Sequence, residues 1–124
     1  MKPMYQVFIA EDEPAALQHL CNIIRIKCQN FQVVGTAENG QEALEQLESF
    51  HPDILITDVK MPVMDGFEAT RRIRTLSKTI PIIALTAFAF EREKEIAKQC
   101  EFTDYVVKPI DIKELKKLIA KVLA

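Results

Sequence analysis

Five residues of this chain carry groups that could act together chemically: Glu11, Asp12, Asp58, Thr86 and Lys108. Asp58 closes the apolar run Ile54–Thr57, which is bounded by polar residues and reads as a buried strand. A core strand should hold no charge, so a terminal carboxylate is either a turn cap or a reactive group. What other strands bring to the same edge decides between these. In an open parallel sheet, ligands bind outside the carboxyl ends of the strands. There the first strand delivers Glu11 and Asp12, the fourth Thr86 and the fifth Lys108. Three close carboxylates repel one another, and burial disfavours their charged forms. A hard divalent cation relieves both effects; Mg²⁺ takes oxygen ligands, keeps several waters and is commonly shared with phosphate oxygens. Lys108 adds a positive charge and a donor, so the edge suits a metal and then an anion. A plain salt-bridge cluster around Lys108 is the alternative, but it leaves three acids against one base.

The elements that must position these groups alternate regularly. Tyr5–Ala10 is an apolar strand running into Glu11, Asp12 and Glu13, and Pro14 suits a first helical position. Leu17, Leu20, Cys21, Ile24 and Cys28 recur at helical spacing, with His19 off that stripe and given no role. Phe31–Ala37 is a second strand. Asn39 with Glu42 resembles a capping box opening a helix with Ala43, Leu44 and Leu47 inward. After the Asp58 strand, Asp65 caps a third helix carrying Phe67, Thr70 and Ile73 and ending near Leu76. Ile80–Leu85 is a fourth strand closing on Thr86, and residues 91–99 form a charged helix with a thin apolar face. Tyr105–Val107 is a short fifth strand ending at Lys108-Pro109. Asp111 and Glu114 then cap a last helix with Leu115, Leu118, Ile119 and Val122 on one face. Five βα units argue an α/β fold with a parallel sheet covered on both faces.

Composition sets the outer bounds. The chain has 124 residues, 48% hydrophobic and 27% charged, with net charge -2, which fits one ordinary globular domain. No basic footprint for nucleic acid is visible, and no apolar run approaches the ~20 residues of a membrane span. The N-terminus lacks a signal-peptide core, which leads to the expectation of a cytoplasmic protein. Cys21, Cys28 and Cys100 lack close metal-ligand spacing and read as reduced thiols.

Four segments, IAEDEP, ITDVKMPVMDG, ALTAFAF and DYVVKPID, now match a family in the right order. The chain resembles the receiver domain of bacterial two-component response regulators over essentially its whole length, residues 1–124, either stand-alone or cut from a longer protein. The resemblance implies a flavodoxin-like doubly wound (βα)5 sandwich with a five-stranded parallel sheet of order 2-1-3-4-5. It puts the first and last helices on one face and the other three on the opposite face. It makes Asp58 the phosphoacceptor, taking a phosphoryl group from a histidine kinase, a histidine phosphotransfer protein or a small acyl phosphate. Mg²⁺ or Mn²⁺ would be held by Asp12, Asp58, the backbone carbonyl of Lys60 and Glu11, the last directly or through water. Lys108 would pair with a phosphoryl oxygen, Thr86 would move to bond another, and Tyr105 would turn inward behind it. A cis Lys108–Pro109 bond would aim the lysine. Catalysis would be limited to the domain's own phosphorylation and dephosphorylation. The changed surface would be the fourth helix, fifth strand and last helix, with Phe88 and Phe90 at its start and a homodimer as one use of it. The domain itself would bind neither nucleic acid nor membrane.

The sequence also departs from the family's pattern. Glu11 stands where many members have Asp, and Glu101 where many have Gly, so the turn at Glu101 is expected to be built differently. Lys60 and Phe88 occupy the positions that border the path of a hydrolytic water, and neither can take that water's proton. Both therefore imply slow loss of the phosphoryl group. Three rival readings fit these residues less well. An aspartyl phosphatase of the haloacid-dehalogenase type needs an acid where Lys60 stands. A flavin mononucleotide carrier needs a hydroxyl- and glycine-rich loop where Glu11, Asp12 and Glu13 stand. The third is a degenerate receiver that serves only as a docking module, although every residue for phosphorylation is present.

Overall fold

The computed structural model describes residues 4–87, 95, 99 and 101–123. The elements are β1 (Tyr5–Ala10), α1 (Pro14–Lys27), β2 (Phe31–Ala37), α2 (Gly40–Ser49), β3 (Ile54–Asp58), α3 (Gly66–Leu76), β4 (Ile82–Thr86), β5 (Asp104–Val107) and α4 (Ile112–Val122). All strand pairs are parallel and the sheet order is β2-β1-β3-β4-β5, as the family resemblance implied. Of the helix expected over residues 91–99 only Glu95 and Gln99 are described, both helical, and Phe88, Phe90 and Cys100 lie outside the described residues.

The two faces of the sheet carry separate cores because alternate side chains of a strand point to opposite faces. On one face Val7, Ile9, Ile54, Ile56, Ile83 and Leu85 pack with Leu20, Ile23 and Ile24 of α1 and Leu115 and Ile119 of α4. On the other, Phe8, Ala10, Leu55 and Ile82 pack with Ala43, Leu44 and Leu47 of α2 and Ala69 and Ile73 of α3. Every residue of β3 and β4 is buried, which explains their unbroken apolar runs. Among the described residues no helix is long and apolar enough to cross a membrane.

Local signals place most helix starts. Pro14 opens α1, and the Asn39 side chain accepts from the Glu42 N–H at 2.9 Å. The reciprocal arm of that box differs from the usual form: Asn39 Nδ2 donates to Glu42 Oε2 at 3.2 Å, an amide-to-carboxylate bond. Asp65 accepts from the Glu68 N–H at 2.8 Å, and Asp111 caps α4 by accepting from Lys113 and Glu114. The Lys108–Pro109 bond is cis.

Two expectations need correction. β4 begins at Ile82, two residues after the expected Ile80, and Pro81, which has no N–H to give, lies outside it. α3 carries Phe67, Thr70 and Ile73 and ends at Leu76 as expected; Ala69, Thr70, Ile73 and Arg74 are buried, and Phe67 is half-buried against Phe102, its ring centroid 5.9 Å away. The turn at Glu101 is not rebuilt: Glu101 takes the left-handed conformation with φ 64°. That geometry costs an L-residue roughly 1–2 kcal/mol, so other contacts must hold it. Val63, a β-branched residue in the loop after Asp58, is strained likewise at φ 66° and is 83% exposed.

Gly40 shows how tightly the loops over the sheet are fitted. Its N–H donates to the Met64 carbonyl at 2.7 Å, and a Cβ there would lie 2.5 Å from that oxygen and 2.9 Å from Ala69 Cβ. Gly40→Ala is therefore expected to lower stability by about 1–3 kcal/mol, as overpacking does. Urea unfolding followed by circular dichroism measures this; an unchanged midpoint would show that the loop can yield.

Candidate functional site

The carboxyl ends of β1, β3, β4 and β5 converge. Glu11 follows β1 and is 2% exposed, Asp58 ends β3 and is 8% exposed, and Asp12 beside them is exposed. One carboxylate oxygen from each lies within 4.8 Å of the others. Lys108, just beyond β5, donates from Nζ to Asp58 Oδ2 at 2.9 Å and to Glu11 Oε1 at 3.0 Å. The other Asp58 oxygen accepts from the Lys60 N–H at 3.2 Å. Thr86, buried at the end of β4, accepts the Lys108 N–H on its backbone carbonyl at 2.7 Å.

The Asp58 loop is set by close backbone approach. The Gly66 N–H donates to the Val59 carbonyl at 3.0 Å, and a Cβ on Gly66 would strike the Asp58 carbonyl. Only glycine lets α3 start this close to the strand that ends in Asp58.

The electrostatics are unbalanced. Burial, then hydrogen bonding to Asp58, pushes the Glu11 carboxyl up to about 7, with Lys108 opposing. Burial works against the Lys108 ammonium, but its bonds to Asp58 and Glu11 outweigh that and raise its pKa. One ammonium thus serves two buried acids, with a third acid at the rim. An all-oxygen donor set with surplus negative charge fits a hard divalent cation.

The profile of the family described as response regulator receiver domain matches residues 7–120. The chain belongs to the response regulator receiver family. An uncharacterised 14.6 kDa protein of Leptolyngbya boryana is 47% identical over 89 residues, covering 70% of this chain and 68% of the other. The transcriptional regulatory protein PdtaR of Mycobacterium tuberculosis is 39% identical over 110 residues, 89% of this chain and 52% of that protein. Several curated relatives are thus longer, and the chain spans 33% of one from Bacillus subtilis. Among solved structures, the receiver domain of a sensor histidine kinase from Pseudomonas aeruginosa superposes with a TM-score of 0.87 at 29% identity, covering 97% of this chain and 98% of that one. That structure is described with a magnesium ion coordinated in its active-site cleft.

Of the residues singled out by the sequence, this receiver brings Glu11, Asp12, Asp58 and Lys108 into one cluster. Thr86 stands at the end of β4 and meets Lys108 through its backbone carbonyl. Tyr105 is half-buried on β5 and lines a surface cavity of about 330 Å³ with Glu114 and Leu118 of α4. Lys60 is exposed on the loop after Asp58, and Phe88 lies outside the described residues. Sequence reasoning passed over Arg74, a buried cation on α3. Its place four residues after Thr70 and seven after Phe67, on the helix's inward stripe, was the available signal.

The raised Glu11 pKa has a measurable consequence. The folded state holds this proton more tightly than the unfolded chain, whose value is near 4.5. Metal-free stability should therefore fall as pH rises from about 4.5 through about 7. The loss should be on the order of 2 kcal/mol, and Glu11→Gln should flatten the profile. Denaturant titrations in chelator from pH 5 to 8 test this; a rising profile in the wild type would contradict it.

Proposed function

We propose that this receiver accepts a phosphoryl group on Asp58 from a phosphohistidine of a histidine kinase or histidine phosphotransfer protein, or from a small acyl phosphate. The observation that carries the reading is the Asp58 carboxylate itself: buried, held at both oxygens by Lys60 N–H and Lys108 Nζ, and clustered with two further acids. An Asp58 oxygen forms the new bond to phosphorus as the bond to the donor nitrogen or acyl oxygen breaks. Asp12, Asp58, Glu11 and the Lys60 carbonyl would hold a divalent cation, Mg²⁺ or Mn²⁺, which when bound supplies neutralising charge for the transferring group. The magnesium ion named for the Pseudomonas aeruginosa receiver supports that assignment.

Lys108 already bonds Asp58 and would turn to a phosphoryl oxygen, and the Thr86 hydroxyl would bond another. Tyr105 would follow Thr86 inward, changing the surface around β5 and α4 that a partner or second copy reads. We take residues 1–124 as one receiver domain whose only chemistry is its own phosphorylation and dephosphorylation.

Incubation with acetyl phosphate and Mg²⁺ should add one phosphoryl mass to the wild type and none to Asp58→Asn. In the same sample, amide shifts should concentrate on β5 and α4. A fully labelled Asp58→Asn would reject the acceptor assignment, and an unlabelled wild type would favour a docking module.

Decay of phospho-Asp58 should be slow. Lys60 has no acceptor for the proton of an attacking water, and Phe88 can neither bond nor orient one. Lys60→Asn combined with Phe88→Glu should speed decay at saturating Mg²⁺ by about tenfold or more. An unchanged or slower decay would reject obstruction as the cause.

A further inference from the structure

We propose that Arg74 is a positioning residue for the Asp58 site: with Thr103 it fixes the register of β5 on β4, and so places Lys108. Arg74 is 7% exposed, at the end of α3 and the opposite edge of the sheet from Asp58. Burial lowers its pKa, with the nearby Glu101 charge opposing. Among the described residues, each of its hydrogen bonds goes to a neutral oxygen. Nε donates to the Glu101 carbonyl at 2.9 Å. Nη1 donates to the Ile80 carbonyl at 2.7 Å and the Ser77 carbonyl at 3.4 Å. Nη2 donates to Thr103 Oγ1 at 3.4 Å. A buried cation contributes little net stability over an apolar side chain of similar size. What this one does is gather three segments: the end of α3, the approach to β4 and the turn before β5.

That turn is the strained one. Glu101 sits at φ 64°, and its carbonyl is fixed by Arg74 Nε. Two residues on, Thr103 brackets Ile82 of β4: its N–H donates to the Ile82 carbonyl at 2.8 Å, and its Oγ1 accepts the Ile82 N–H at 2.9 Å. The ladder then runs from Ile83 opposite Asp104 to Thr86 opposite Val107. It ends with the Lys108 N–H on the Thr86 carbonyl. β5 has only four residues, of which Val106 alone is fully buried, so the clamp reinforces a register that otherwise rests on a short ladder and one core side chain. A one-residue slip would carry Lys108 about 3.3 Å along the strand and turn its side chain to the other face. Glu11, Asp12 and Asp58 follow β1 and β3, which the clamp does not touch, so cation binding and lysine placement should separate.

The phosphorylation readout rests on the function proposed above; the hydrogen-exchange readout does not. The experiment compares wild type, Arg74→Met, Arg74→Lys, Thr103→Val and the double variant Arg74→Met with Glu101→Gly. Arg74→Met should slow labelling of Asp58 by acetyl phosphate about tenfold or more, as a misplaced group does. It should speed exchange of the Lys108 amide while leaving Mg²⁺ affinity by calorimetry within about twofold, a separation that general loosening would not give. Thr103→Val should act in the same direction, Arg74→Lys more mildly, and Glu101→Gly should restore part of the loss because glycine needs no clamp at that φ. Mg²⁺ affinity falling in step with labelling would overturn the proposal. So would unchanged Lys108 exchange in both Arg74→Met and Thr103→Val. Should Arg74→Met fail to fold, Thr103→Val and Arg74→Lys decide by the same measures. Should the wild type not be labelled, the functional reading fails and exchange at Lys108 alone decides this one.

Discussion

The site depends on one ammonium reaching across the sheet. Lys108 follows the edge strand β5, whereas its partners follow β3 and β1, two and three places away in the order β2-β1-β3-β4-β5. Neighbouring strands lie about 4.8 Å apart, so Asp58 and Glu11 must lean toward Lys108 as it leans toward them. The longer arm of Glu11 suits that span. The three groups meet only if every strand between them ends at the right height. Registers of β1 with β3, β3 with β4 and β4 with β5 are therefore part of the chemistry, since each sets the level at which a charged group leaves the sheet.

The rest of the fold holds those heights fixed. Two cores grip the central strands from both faces, leaving β3 and β4 buried along their whole length. At the site edge, backbone contacts at Gly66 and Gly40 seat α3 and α2 against the loop after Asp58. The strain in that loop falls on Val63, whose exposed side chain loses no packing by it. At the far edge, the strain at Glu101 is countered by Arg74. Strain and close approach thus sit at the two ends of the strands, where the chain changes direction, while the middle of the sheet is ordinary packing.

How much of this the sequence made legible follows from the range of each signal. Helix starts at Pro14, Asn39, Asp65 and Asp111 were legible because a cap acts within three residues. Strands β1 and β3 were legible from the apolar runs Val7–Ala10 and Ile54–Ile56, which are buried on both faces of the sheet. The candidate site was legible as a set because each member stands at a strand end. Arg74 and the Glu101 turn were not, because what decides them lies 27 residues apart in the chain.

The sequence by itself determined the five strands and the four helices bounded among the described residues, the separation of apolar and charged faces, and which acids, hydroxyl and lysine leave the sheet at one edge. These follow from local periodicity and capping, which act over a turn or a few strand residues. Strand order came from resemblance to a family, since apolar stripes fit more than one arrangement of layers. Only the tertiary structure decided that Lys108 is shared by Asp58 and Glu11, that Glu11 is buried enough to hold its proton near neutrality, and that a buried arginine pins the strained turn before β5. Each depends on burial and on distances between strands remote in the chain, and those quantities exist only once the sheet has closed.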